Sequence, residues 1–158
     1  MALRLLFICT GNTCRSAMAE AMARRIIQER GIVDVEVGSA GTAAWENAPA
    51  SDGALLVCLE HGVDLSQHKA RLLSRELLDS YDLVLGMGPH HVERTAALGG
   101  SGKAFLLTNY ASSGESDRPI GDPFGGALDL YRETYEELER ELNRLFDRLA
   151  AERASKRS

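Results

Sequence analysis

Apolar residues fall in short runs separated by stretches of helical period. Leu3 to Ile8 is an apolar run interrupted by one Arg and ended by Thr10, Gly11 and Asn12. Met18, Met22 and Ile26 then recur at helical spacing, so the N-terminal segment predicts strand, tight loop and helix. Val35 to Val37, ahead of Gly38 and Gly41, predicts a second strand, and Leu55 and Leu59 among alanines predict a helix ending at Gly62. A short helical segment from Ser74 to Ser80 leads into a third strand, Leu83 to Met87, and Pro89 suits the first turn of the next helix. Lys103 to Leu107, after the Gly99 to Gly102 loop, predicts a fourth strand. Finally, Leu128, Tyr131, Tyr135, Leu138, Leu142, Leu145 and Leu149 recur every three or four residues, marking one long amphipathic helix whose solvated face holds Glu136 to Glu141. Short strands alternating with helices imply an α/β fold: a single three-layer domain with a four-stranded parallel sheet and helices on both faces. The domain is expected over residues 1–152, with 153–158 as a frayed basic tail.

Composition narrows the class without changing that picture. A chain of 158 residues, 44% hydrophobic and 26% charged, can bury a full core without disulfide or metal staples. Its 18 Lys and Arg against 23 Asp and Glu give a net charge of -5, which argues against nucleic acid or an anionic membrane as the main partner and still permits a local anion site. No apolar run is long enough to span a bilayer, and the first residues lack the pattern of a cleavable leader. With 3 cysteines, an odd number, the thiols are expected to be reduced and the protein cytoplasmic. Nothing in the pattern specifies an oligomer.

The chemistry concentrates where the first strand ends. In an open parallel sheet, ligands bind beyond the carboxyl ends of the strands, and this strand runs straight into Cys9, Thr10, Gly11, Asn12, Thr13, Cys14, Arg15 and Ser16. A loop entering a helix offers unpaired backbone N–H groups at the positive end of the helix dipole, a natural pocket for a tetrahedral oxyanion. Gly11 and Asn12 tolerate left-handed backbone. Arg15 adds a planar fork matched to two phosphate oxygens, and Ser16 can donate to sulfur. A Cys9 thiol at the base of that positive field is expected to ionise readily and act as a nucleophile. The string lacks the Gly-Lys-Ser/Thr of a Walker loop and is not a dinucleotide fingerprint, and no cofactor or metal motif occurs elsewhere. Attack on phosphorus needs a general acid for the leaving group. Asp122-Pro123-Phe124-Gly125-Gly126 offers a stiffened carboxylate in a flexible loop, although the same Asp also suits plain helix initiation.

Cys9 to Ser16, Ser39-Ala40-Gly41-Thr42, His68 to Arg71 and Asp122-Pro123 together resemble the low-molecular-weight protein tyrosine phosphatase family, in the same order and over essentially the whole chain. The resemblance implies a phosphatase acting on phosphorylated proteins, with Cys9 as nucleophile, Arg15 as phosphate clamp, Asp122 as general acid and base, and Ser16 as partner of the sulfur. It also implies that Asn12 holds the loop through hydrogen bonds supplied by Ser39 and His68. Ala17 departs from the family, which usually carries Pro there. Thr13 and Phe124-Gly125-Gly126 are similar to the bacterial protein arginine phosphatase branch, whereas tyrosine-directed members place Ile or Leu at the Thr13 position. A hydroxyl can border a planar guanidinium that a branched apolar group would crowd. Trp45 matches an aromatic pocket wall of the family, and a lone Trp equally serves simple packing.

The remaining candidates are plainer. Cys14 could join Cys9 on oxidation or merely line the loop, and Cys58, flanked by Val57 and Leu59, reads as an inert core thiol. His61 suits a helix C-terminus, while adjacent His90 and His91 point to different helix faces and make no metal pair. Three rivals stand beside the arginine phosphatase: a tyrosine phosphatase, an arsenate reductase, and a phosphate-binding module without catalysis. The reductase needs a further cysteine pair that Ser74 to Val92 lacks, and the module leaves the Cys9, Arg15 and Asp122 set without purpose.

Overall fold

The computed structural model describes residues 2–157. The elements run β1 (Leu3–Cys9), α1 (Arg15–Glu29), β2 (Val35–Gly41), α2 (Asp52–Glu60), α3 (Arg75–Asp79), β3 (Leu83–Gly86), α4 (Pro89–Thr95), β4 (Ala104–Leu106), α5 (Leu107–Ala111) and α6 (Leu128–Arg157). The strands form one sheet in the order β2-β1-β3-β4. All pairings are parallel, with Cys9 opposite Gly41 and Ile8 opposite Gly86. The chain leaves β1 towards β2 on one side and returns to β3 on the other, so β1 ends at the point where strand order reverses, where open α/β sheets bind ligands.

Side-chain alternation along the strands separates two cores. Leu5, Phe7 and Cys9 of β1 join Leu83 and Leu85 of β3 against Met18, Met22, Val57, Leu138, Leu142 and Leu145. Leu6, Ile8 and Val84 point to the opposite face and pack on Leu73, Leu78 and Tyr81. Because both faces are covered, β1 is a continuous apolar run from Leu5 onward rather than an alternating one.

Several boundaries differ from the sequence expectation. β2 continues from Val37 to Gly41, because Gly38 and Gly41 sit where a side chain cannot. A Cβ on Gly38 would lie 2.2 Å from the Tyr81 hydroxyl, and one on Gly41 would lie 2.4 Å from the Thr10 carbonyl. The fourth strand ends at Leu106, and Leu107 opens a short helix that apolar patterning did not reveal. The expected Gly99 to Gly102 loop overlaps a π-helical turn, Ala96–Gly100, in which Gly99 takes φ 101°. Of the tail expected to fray, residues 153–157 continue α6 to Arg157, and Arg153 is tied to the Asp34 carboxylate and carbonyl, while residue 158 lies outside the described residues. Among the described residues no helix is long and apolar enough to cross a membrane.

Candidate active site

The loop from Cys9 to Ser16 wraps a cavity of about 160 Å³ lined by Cys9, Thr10, Gly11, Thr13, Cys14, Arg15, Asp122 and Phe124. Local geometry explains its shape. Asn12 takes a left-handed φ of 57°, while Gly11 does not need one, so the turn rests on Asn12 alone. Asn12 is fully buried and fully engaged. Its Nδ2 donates to Ser16 Oγ at 2.8 Å, its Oδ1 accepts the Arg71 amide at 2.9 Å, and its carbonyl accepts from His68 Nε2 at 2.6 Å. The N–H groups of the first turn of α1 have no intrahelical carbonyl ahead of them and are the natural lining of an anion pocket.

Cys9 Sγ sits at the base of that pocket, 3% exposed. The Asn12 amide donates to it at 3.3 Å, and Ser16 Oγ lies 2.8 Å away. Arg15 is 5% exposed; its guanidinium donates to the Ile120 carbonyl at 3.1 Å and stands 3.4 Å from Asp122 Oδ2. That arrangement brings thiol, cation and carboxylate to one cavity. The carboxylate arrives on the segment ahead of α6. Ile120 N–H bonds the Met87 carbonyl at 2.8 Å, anchoring this segment just past β3, and Asp122 Oδ1 accepts the Phe124 amide at 3.1 Å. Gly125, at φ 77°, supplies the bend that follows.

Three expectations change. The Ser39 hydroxyl does not reach Asn12: it donates to Glu20 Oε1 at 2.5 Å. Ser39 acts through its carbonyl, which accepts from Arg71 Nε at 3.1 Å, and Arg71 in turn supplies the amide that holds Asn12. Trp45 is 84% exposed, which excludes core packing, and it is not among the residues lining the cavity. His91 was read only as half of an adjacent pair, yet it is completely buried against the site. Its Nδ1 accepts the Gly88 amide at 2.9 Å, and its Nε2 lies 2.9 Å from Thr10 Oγ1. Burial above all, with the neighbouring His90 and Arg15 charges, holds its pKa down at about 4, against a smaller upward pull from Asp122. A Cβ on Gly86 would lie 3.1 Å from His91 Cβ, so α4 presses on the sheet at that point, and no pattern in the sequence marks the contact.

The other thiols are separated by environment. Cys14 Sγ lies 3.2 Å from Ser51 Oγ and 3.7 Å from the Tyr131 hydroxyl. Cys58 is fully buried, and burial pushes its thiol up to about 12. His61 caps α2 through its backbone and stacks on Tyr135 with ring centroids 3.9 Å apart. Among the described residues no group of three or more His, Cys, Asp or Glu could hold a metal ion.

A family model described as low molecular weight phosphotyrosine protein phosphatase matches residues 4–155. The chain belongs to that family. It is 39% identical over 132 residues to a protein-arginine-phosphatase of Bacillus subtilis, covering 82% of this chain and 85% of the relative. It is 36% identical to the low molecular weight protein-tyrosine-phosphatase PtpB of Staphylococcus haemolyticus, covering 84% and 89%. Among solved structures, the YwlE arginine phosphatase with a phosphorylated serine replacing its active-site cysteine superposes with a TM-score of 0.88, at 38% identity and over 94% of this chain and 96% of that one.

Proposed function

We propose that this chain hydrolyses phosphoarginine on protein substrates through a phosphocysteine intermediate. In the first step Cys9 Sγ attacks phosphorus in line with the departing nitrogen; the S–P bond forms, the P–N bond breaks, and Asp122 gives its proton to the leaving guanidine. Arg15 and the loop amides bear the charge on the equatorial oxygens, fixed in place before the substrate arrives. In the second step Asp122 takes a proton from water, the water oxygen attacks phosphorus, and inorganic phosphate leaves as the electron pair returns to Cys9, steadied by the Ser16 hydroxyl. Free Cys9, Cys14 and Cys58 suit the reducing interior of a cell.

The observation that carries the substrate assignment is Thr13, whose hydroxyl stands on the loop part of a cavity wall that also includes Asp122. A planar, hydrogen-bonding leaving group suits that wall, and the Bacillus subtilis relative is named for this substrate. The tyrosine reading draws on Phe124, an aromatic ring 71% exposed that also lines the cavity. Side-by-side kcat/KM on phosphoarginine and phosphotyrosine peptides decides between them, with the parent expected to favour phosphoarginine. Thr13→Ile should move the ratio towards phosphotyrosine by roughly 10–200-fold, the range for a change of one or two carbons in a pocket. A parent that favours phosphotyrosine overturns the arginine assignment.

A further inference from the structure

We propose that His91 is a positioning residue of the phosphoryl site: it donates Nε2–H to the Thr10 oxygen and so keeps the Thr10 hydroxyl proton free for an oxygen of the phosphoryl group above Cys9. The inference rests on the phosphatase reading and adds a residue that touches no substrate itself.

The hydrogen-bond pattern fixes the direction. A neutral imidazole carries one N–H, and His91 Nδ1 is already occupied as an acceptor for the Gly88 amide at 2.9 Å. The ring proton therefore belongs on Nε2, 2.9 Å from Thr10 Oγ1, and the imidazole is the donor of that pair. Reversing it would place a proton on Nδ1, facing the Gly88 N–H. The ring cannot swing away, because it is fully buried and both of its nitrogens are engaged. Thr10, by contrast, is exposed and lines the cavity beside Cys9. A hydroxyl has one proton and two lone pairs; with one lone pair filled by His91, the proton is left for what occupies the cavity. A hydroxyl that accepts one hydrogen bond also donates the next more strongly. If His91 served packing alone, its loss and the loss of the Thr10 hydroxyl would act independently.

The test compares the parent with Thr10→Val, His91→Phe, the double variant and His91→Gln, whose amide N–H reaches about as far as Nε2. Inorganic phosphate affinity, kcat and KM on an aryl phosphate, and the 15N spectrum of the histidine rings are measured. Thr10→Val and His91→Phe should each weaken phosphate binding and lower kcat/KM by about tenfold, the scale of one hydrogen bond to a charged group. The double variant should be no worse than the worse single one, and His91→Gln should recover most of the loss. In the parent spectrum, His91 should appear as the Nε2–H form with a proton slow to exchange, and Thr10→Val should speed that exchange. Losses that multiply, a His91→Phe loss without a Thr10→Val loss, or an Nδ1–H ring would each overturn the proposal. Should His91→Phe fail to fold, exposed Thr10 and the parent spectrum still decide. Phosphate affinity and the ring spectrum need no turnover, so they stand apart from a failure of the phosphoarginine assignment.

Discussion

The two halves of the site are built differently. The loop from Cys9 to Ser16 is held by β1, β2 and α1, with Thr10 exposed to the cavity: Asn12 is fully buried, Arg15 and Cys9 nearly so, and every polar group of the Asn12 side chain and its carbonyl has a partner. The loop carrying Asp122 lies at the surface. Its carboxylate side chain is 51% exposed, its aromatic neighbour Phe124 is exposed, and its ties to the body include the Ile120 contacts, the Gly121 amide donating to Glu137 Oε1 at 3.3 Å, a Gly125 backbone bond to the Tyr131 hydroxyl and an ion pair to Arg15. Under the proposed mechanism the contrast separates two tasks. Charge stabilisation at phosphorus gains from donors fixed before the reaction, whereas a group that must approach a leaving group and then a water gains from freedom to move.

That contrast can be broken from either side. Asp122→Ala should slow turnover by ~10²-fold or more while the melting temperature barely changes, because the lost ion pair is half exposed. Its effect should shrink on aryl phosphates whose leaving group needs little protonation; steady-state kinetics on two such leaving groups checks this. Asn12→Ala should instead cost the fold about 2–4 kcal/mol, from two lost buried hydrogen bonds and an alanine held at a left-handed φ of 57°. Denaturant titration reads that loss directly.

The buried half should also be the pH-sensitive one. His91 has its pKa held from 6.5 down to about 4, so the unfolded chain takes up a proton that the folded chain refuses. Stability should be whole above about pH 6.5, fall as the pH drops from there towards 4, and level off below, a total of about 3 kcal/mol from this residue. His91→Gln should flatten that part of the stability profile. Smallest of all, Gly125→Ala in the exposed loop should cost about 1 kcal/mol, since φ 77° strains an alanine while nothing lies within 4 Å of the added methyl group. A loss as large as that of Asn12→Ala would erase the distinction between the two loops.

How much the sequence discloses follows the same division between local and distant causes. The β1 run, the loop string and the α6 period are set by neighbouring residues, so strand, anion loop and final helix are legible directly. Leu107–Ala111 was not, because one helical turn after a strand leaves no period to detect. His91 was missed for a related reason: on a helix as short as Pro89–Thr95, spacing does not say which of two adjacent imidazoles faces the sheet, and Gly86 across the interface settles it. Ser39 was placed near the right residue with the wrong atom, since only the three-dimensional position of Arg71 shows that the carbonyl rather than the hydroxyl transmits the support. Trp45 invited a packing or pocket role by residue type, and its exposure depends on where the loop after β2 turns.

Trapping the intermediate shows whether Cys9 carries the phosphoryl group between the two chemical steps. A phosphoarginine protein substrate is mixed with the enzyme, quenched within the first turnovers and digested, and the phosphorylated peptide is identified by mass. The expected result is a phosphoryl group on Cys9 sulfur, none on Cys14 or Cys58, and no turnover in Cys9→Ser, which should still bind inorganic phosphate because Arg15 and the loop amides remain. Steady release of phosphate by Cys9→Ser, or a parent that turns over without ever labelling Cys9, would contradict it.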